Sequence, residues 1–147
     1  MNQTLISLVL ATACALPAWA ADTGPSSAVE DTPLARAREL VARKDWAGAT
    51  PALTAYVKAN PGSADGHNLL GYSLRHQKKY DESLVAYQQA LKLDPRHKGA
   101  HEYIGIAYVE MKQLDKAREH LAALDKICRF SCEEYRDLKK AIEAAGK

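Results

Sequence analysis

Cys128 and Cys132 are the residues best suited to chemistry in this chain. They stand four apart and flank Arg129-Phe130-Ser131. Three chemistries fit them. In an oxidising compartment an even pair of thiols closes as a disulfide, and a turn between the two relieves the awkward geometry of bridging within one helix. So small a loop contributes about 2 kcal/mol through chain entropy. A thiol at a helix N-terminus is acidified, so Cys132 could act as a redox nucleophile with Cys128 resolving; the spacing, however, is not that of a thioredoxin-type motif. Two thiolates could also hold copper or zinc if further ligands joined them. Elsewhere the chemical signals are thin. His97 and His101 are four apart and read as surface histidines across a turn; His67 and His76 do not share a helix face at metal spacing. The carboxylate pairs Asp81-Glu82 and Glu133-Glu134 open helices, where they favour the helix dipole. No glycine-rich phosphate loop, Gly-x-Ser-x-Gly elbow or His-Glu-x-x-His run occurs. Neither catalysis nor a cofactor is expected.

The N-terminal stretch sets the compartment in which those thiols would work. Residues 1–20 contain no Asp, Glu, Lys or Arg, and Leu5 to Leu16 is apolar apart from Ser7 and Thr12. Ala18-Trp19-Ala20 then offers small residues at both positions a signal peptidase reads. The pattern predicts a cleaved signal over 1–20 and a periplasmic address. A lipoprotein cut before Cys14 is the alternative, and only that would tie the chain to a membrane. Residues 21–30, polar and small, read as a flexible leader. The chain carries 20 Lys and Arg against 18 Asp and Glu, a net charge of +2 spread without a basic block. That excludes a nucleic-acid binder driven by the phosphate backbone.

Beyond the leader everything reads as helix. Thr32-Pro33 suits an N-cap followed by proline in the first turn, and Leu34, Ala37, Leu40 and Val41 make one stripe. Asp45 can cap a second helix bearing Trp46, Ala49, Leu53, Tyr56 and Val57, with Pro51 disturbing its start. Asn60-Pro61-Gly62 and Asp94-Pro95 break the chain. Helices are expected over about 64–77, 80–93, 98–112 and 114–127. A final helix from Ser131 opens on a capping box, Ser131 to Glu134, and carries Tyr135, Leu138, Ala141 and Ile142 on its apolar side.

These helices repeat. Ala37, Leu40, Trp46, Ala49, Leu53 and Pro61 align, 34 residues on, with Gly71, Leu74, Tyr80, Ser83, Tyr87 and Pro95. A further shift of 34 reaches Gly105, Tyr108, Leu114, Ala117, Leu121 and Arg129. Small residues fall on small ones, which suggests close approach of the two helices in each pair. This period resembles the tetratricopeptide repeat. The resemblance implies an all-α, right-handed solenoid of three repeats, 30–63, 64–97 and 98–131, plus a capping helix over 132–147.

The resemblance further implies a non-enzymatic protein-binding module, with the first helix of each repeat lining a concave groove for a peptide or partner protein. The family's groove positions fall on Asp31, Leu34, Arg38 and Val41; on Asp65, Asn68, Leu69, Tyr72, Arg75 and His76; and on Glu102, Ile106, Val109 and Glu110. Arg38, Asn68, Tyr72, Arg75, Glu102 and Ile106 are the expected contacts, while the other tyrosines read mostly as core. The family's chaperone-binding members clamp a terminal carboxylate with Lys, Asn and Arg. The matching positions here are Leu34, Arg38, Leu69, Gly99 and Tyr103, where only Arg38 could serve, so no such clamp is expected. Two other functions stay open: a redox or metal-handling accessory built on Cys128 and Cys132, and a structural subunit of an envelope assembly using the convex face. Neither the partner nor the oligomeric state is written in the residues.

Overall fold

The structure, a computed structural model, describes residues 32–147. The expected signal, the leader, Cys14 and Asp31 lie outside the described residues. Within them are seven helices and no strand: α1 Pro33–Ala42, α2 Trp46–Ala59, α3 Ala64–His76, α4 Tyr80–Leu93, α5 Lys98–Glu110, α6 Leu114–Cys128 and α7 Glu133–Ala145. Successive helices pair as α1 with α2, α3 with α4 and α5 with α6, and α7 packs on both α5 and α6. The first helices of successive pairs also touch, α1 on α3, α3 on α5 and α5 on α7. The result is an all-α solenoid.

Local chemistry sets the ends of these helices. The Thr32 hydroxyl accepts the Ala35 N–H at 3.1 Å, and the Asp45 carboxylate accepts that of Gly48 at 3.0 Å. Pro51 is accommodated inside a continuous α2. The carbonyl it leaves unpaired is that of Ala47, an exposed residue open to water. The turns within the pairs share one design. Lys44, Lys78 and Lys112 adopt φ of 59°, 62° and 60° at the same phase of the repeat. Each N–H bonds back to the carbonyl three residues before it: Val41, Arg75 and Val109. The following N–H groups, of Asp45, Lys79 and Gln113, reach Leu40, Leu74 and Tyr108. This is the Schellman closure, usually made with glycine and here with lysine three times.

The turns between pairs are built differently. Ser63 caps α3 through Gly66, and His97 caps α5 through Ala100, its Nδ1 accepting at 3.2 Å. His67 and His101 each donate from Nε2 to the carbonyl of the turn proline, Pro61 at 3.2 Å and Pro95 at 3.1 Å. The last turn departs from this plan. Cys128 and Cys132 are joined as a disulfide there, with Cα atoms 5.7 Å apart. Cys132, not Ser131, is the N-cap residue of α7, and it makes no side-chain cap bond. The expected capping box is therefore absent: the bridge occupies the cap position, and Glu134 turns to Lys98 at 3.4 Å. The loop presents Phe130 to solvent, 88% exposed.

Small residues set the helix spacing, with one addition to the expected pattern. A Cβ on Gly71 would meet the Tyr87 ring of α4 at 2.6 Å, within its own pair. A Cβ on Gly105 would instead meet Leu138 of α7 first, so that glycine also admits the capping helix. Ala49, Ser83 and Ala117 are fully buried at the matching phase of the second helices. One apolar cluster joins Ala37, Ala49 and Leu53; another joins Ala117, Leu124, Leu138 and Ile142. Each large apolar side chain buried in this way is worth about 1.5–3 kcal/mol.

The reading of His97 and His101 as surface histidines also needs correction. His97 gives its Nε2 to Asp65 at 3.1 Å, and its side chain is 13% exposed. His101 lies half-buried against His120, Nδ1 to Nδ1 at 3.1 Å. Because His101 donates from Nε2 to Pro95, its Nδ1 is the acceptor, and His120 is the donor. Burial, helped by His101, lowers the His120 pKa to about 4. The His120 ring is thus held neutral, and its contact with His101 ties α6 to α5.

Candidate functional site

The face built from α1, α3, α5 and α7 carries a cleft of about 340 Å³ lined by Val41, Trp46, Asn68, Leu69, Tyr72, His76 and Tyr103, with Lys44 at its edge. Its walls are aromatic. Trp46 stacks on His76 with ring centroids 4.3 Å apart and planes 3° from parallel. Tyr72 stands edge-on to His76 at 4.5 Å and leans on Tyr103 at 4.8 Å. Such contacts fix ring orientation and add about 0.5–1.5 kcal/mol per pair beyond their burial. Residues four apart on α3 share a face, which is why Asn68, Tyr72 and His76 line the same cleft. Burial under Trp46, followed by the charge of Arg75, lowers the His76 pKa, so this ring is neutral at pH 7. Burial and then Glu102 push the Tyr103 phenol up to about 12.

Two of the expected contacts are committed elsewhere. Arg38 pairs with Asp65 across α1 and α3 at 3.2 Å. Arg75 is buried and bonds to Glu110 of the next repeat, its guanidinium lying 5.3 Å over the Tyr72 ring. It supports the aromatic wall from behind. Asn68 and Tyr72 lie where expected, in the cleft; Glu102, next to Tyr103 in sequence and half-buried on α5, is not among the residues that line it. Ile106 and Val109 were expected to be exposed in the groove. They are half-buried against the cluster of α6 and α7 instead, because α7 continues the stack over them. The sequence assigns Trp46 only to the second helix and reads Tyr103 as core, yet both wall the cleft. Trp46 stands first in α2, where the turn swings it toward α3, a place its position at the helix start could have signalled.

Glu102 is electrostatically unusual. Burial, then Asp137, Glu134 and Glu133 of α7, raise its pKa from 4.5 to about 7, with Arg75 opposing. Between those values the folded chain holds more protons than the unfolded chain, so stability falls as pH rises across this window. Glu102→Gln removes the penalty. It is expected to gain about 1 kcal/mol near pH 8, after discounting for partial exposure, and nothing near pH 4. Urea midpoints at the two pH values check this; an equal change at both would sink it.

On the other side a larger hollow of about 500 Å³ opens among α2, α3 and α4, lined by Thr54, Val57, Leu70, Leu74 and Ala86, with Val85 67% exposed at its rim. Among the described residues no group of three or more His, Cys, Asp or Glu side chains could hold a metal, and no helix is long and apolar enough to cross a membrane.

Two family models, both described as tetratricopeptide repeat, match this chain, one over residues 34–88 and the other over 74–142. The Hsp70-Hsp90 organising protein of Plasmodium falciparum (isolate 3D7) is 36% identical over 70 residues. That match spans 47% of this chain but 12% of the relative's length. Among solved structures, the TPR2B domain of yeast Sti1, in a complex with pHsp70, superimposes with a TM-score of 0.71 at 21% identity, over 78% of this chain and 93% of that one. MamA from Desulfovibrio magneticus RS-1 superimposes with a TM-score of 0.64 at 27% identity, over 66% of this chain and 55% of that one.

Proposed function

Because the chain belongs to the tetratricopeptide-repeat family, we propose that it is a non-enzymatic interaction module that holds an extended segment of a partner protein in the cleft between α1, α3 and α5. The observation that carries this reading is the cleft itself. Three large aromatic rings, from Trp46, Tyr72 and Tyr103, enclose a buried Asn68 whose side-chain carbonyl has no hydrogen-bond partner. Apolar walls with a few polar groups inside suit a ligand whose burial drives binding and whose hydrogen bonds fix register. Repeat stacking keeps these walls preformed, which lowers the ordering cost of binding.

A terminal-carboxylate clamp is not part of this proposal. The positions where relatives place one carry Leu34, Leu69, Gly99 and Tyr103, and Arg38 is engaged by Asp65. The partner is held along its length. Its compartment in this proposal is the bacterial envelope, reached through the signal over residues 1–20. There the Cys128–Cys132 bridge staples α7 to the last repeat.

The test is crosslinking capture from the native envelope with the wild type, Tyr72→Ala and Val85→Ser. Loss of the partner by Tyr72→Ala alone, with its melting curve still cooperative, is the expected result. Loss by Val85→Ser alone would overturn the cleft and move the site to the opposite face.

A further inference from the structure

The chemistry of the groove points to the class of segment it takes, an inference that rests on the cleft being the binding site. Along α1 and α3 Arg38 is matched by Asp65 and Arg75 by Glu110, while Lys44 at the cleft's edge forms no ion pair among the described residues. Toward α7 the balance reverses. Glu102 of α5 meets the field of Glu133, Glu134 and Asp137 from α7. Of these four carboxylates, Glu134 has a cationic partner, Lys98 at 3.4 Å, and the other three form no ion pair among the described residues.

A second observation, independent of charge, points the same way. Asn68 is 8% exposed, and its side-chain oxygen is buried without a partner. It lines the cleft with Tyr72 and Tyr103. An acceptor left unpaired in a built site is complemented by a donor brought from outside. The Tyr72 ring already takes one cation, Arg75, over its face, so the aromatic wall has the electronic character to receive another. What satisfies a buried acceptor, ring faces and unmatched carboxylates together is a group rich in N–H donors and positively charged.

We propose that the groove selects an extended protein segment carrying lysine or arginine, with a donor on the segment satisfying Asn68 and a cationic side chain paired to Glu102. Asp137 and Glu133 add attraction and steer the segment toward the α7 end. Apolar or acidic segments are discriminated against by the same unpaired groups.

The experiment pans a phage library of random linear peptides against the protein and measures the selected peptides by fluorescence anisotropy. Binders enriched in Lys or Arg are expected, weakened about tenfold by Glu102→Gln and more strongly by Tyr72→Ala, as loss of a charge-assisted contact predicts. Wild-type affinity is expected to rise as pH climbs through 7, where Glu102 ionises against Asp137, Glu134 and Glu133 from α7 and Arg75 from α3; Glu102→Gln should flatten that profile. Binders that fail on Tyr72→Ala yet carry no cationic excess, or that ignore Glu102→Gln, overturn the charge inference and leave the cleft reading standing. Enrichment untouched by Tyr72→Ala, or none at all, overturns the cleft reading as well.

Discussion

Leu138→Ala is expected to cost about 3–4 kcal/mol, near the middle of the range for truncating a buried leucine. Leu138 is fully buried with Ala117, Leu124 and Ile142, and Ile106, Tyr108 and Leu121 pack around it. Its methyl groups occupy the space a Cβ on Gly105 would need. The loss should be local. In a solenoid each element leans only on its neighbours, and a helix of 13 residues is marginal alone. Hydrogen exchange should therefore show α7 losing most of its protection, α5 and α6 losing some, and α1 and α2 almost none. The disulfide keeps α7 tethered without supplying its packing. Gly105→Ala added to Leu138→Ala should recover part of the loss, because the new methyl group enters the vacated space. A midpoint within 1 kcal/mol of wild type, or uniform loss of protection along the chain, would show that α7 is not the packed end of the array.

The periodic part of this architecture was legible in the residues, and its departures from the period were not. The boundaries of α4, the caps at Thr32 and Asp45 and the burial of Ala49, Ser83 and Ala117 follow from local chemistry that repeats every 34 residues. The Schellman lysines were hidden because lysine is a poor indicator of positive φ. Ser131 carried a sound capping signal, but a tertiary bond at Cys132 moved the start of α7 by a residue. Ile106 looked exposed because groove positions were projected from three repeats, while α7 acts as the first helix of a fourth and covers it. Arg75 looked like a contact for a related reason. Its partner Glu110 stands 35 residues ahead, so only the stacking of repeats shows that the charge is already matched. Trp46 and Tyr103 have the apolar phase of core residues, and nothing in periodicity separates a core ring from one walling a cleft.

Gly71→Val is expected to cost about 4 kcal/mol, more than typical overpacking, because neither side of the contact can yield. The added Cβ would lie 2.6 Å from two ring carbons of Tyr87 and 2.9 Å from a third. Tyr87 is fully buried, so its ring has no solvent to swing into. The helix would gain about 1 kcal/mol from losing a mid-helix glycine if the residue were alanine, and less for a β-branched one. That gain offsets little of the clash. The remedy open to the fold is to part α3 from α4, and α3 carries Asn68, Tyr72 and Arg75. A shift of that helix would pull Tyr72 from Tyr103 and open the cleft, so peptide affinity should fall together with stability. Gly62→Ala is the control, since nothing lies within 4 Å of the added carbon. Trimming the ring should rescue the variant: Tyr87→Leu, damaging alone, should cost less in the Gly71→Val background, and the double-mutant cycle should show coupling of about 1–3 kcal/mol. Additive costs would mean that the backbone and not the ring limits the approach of the two helices. The glycine would then matter for its own helix and not for holding the binding face in register.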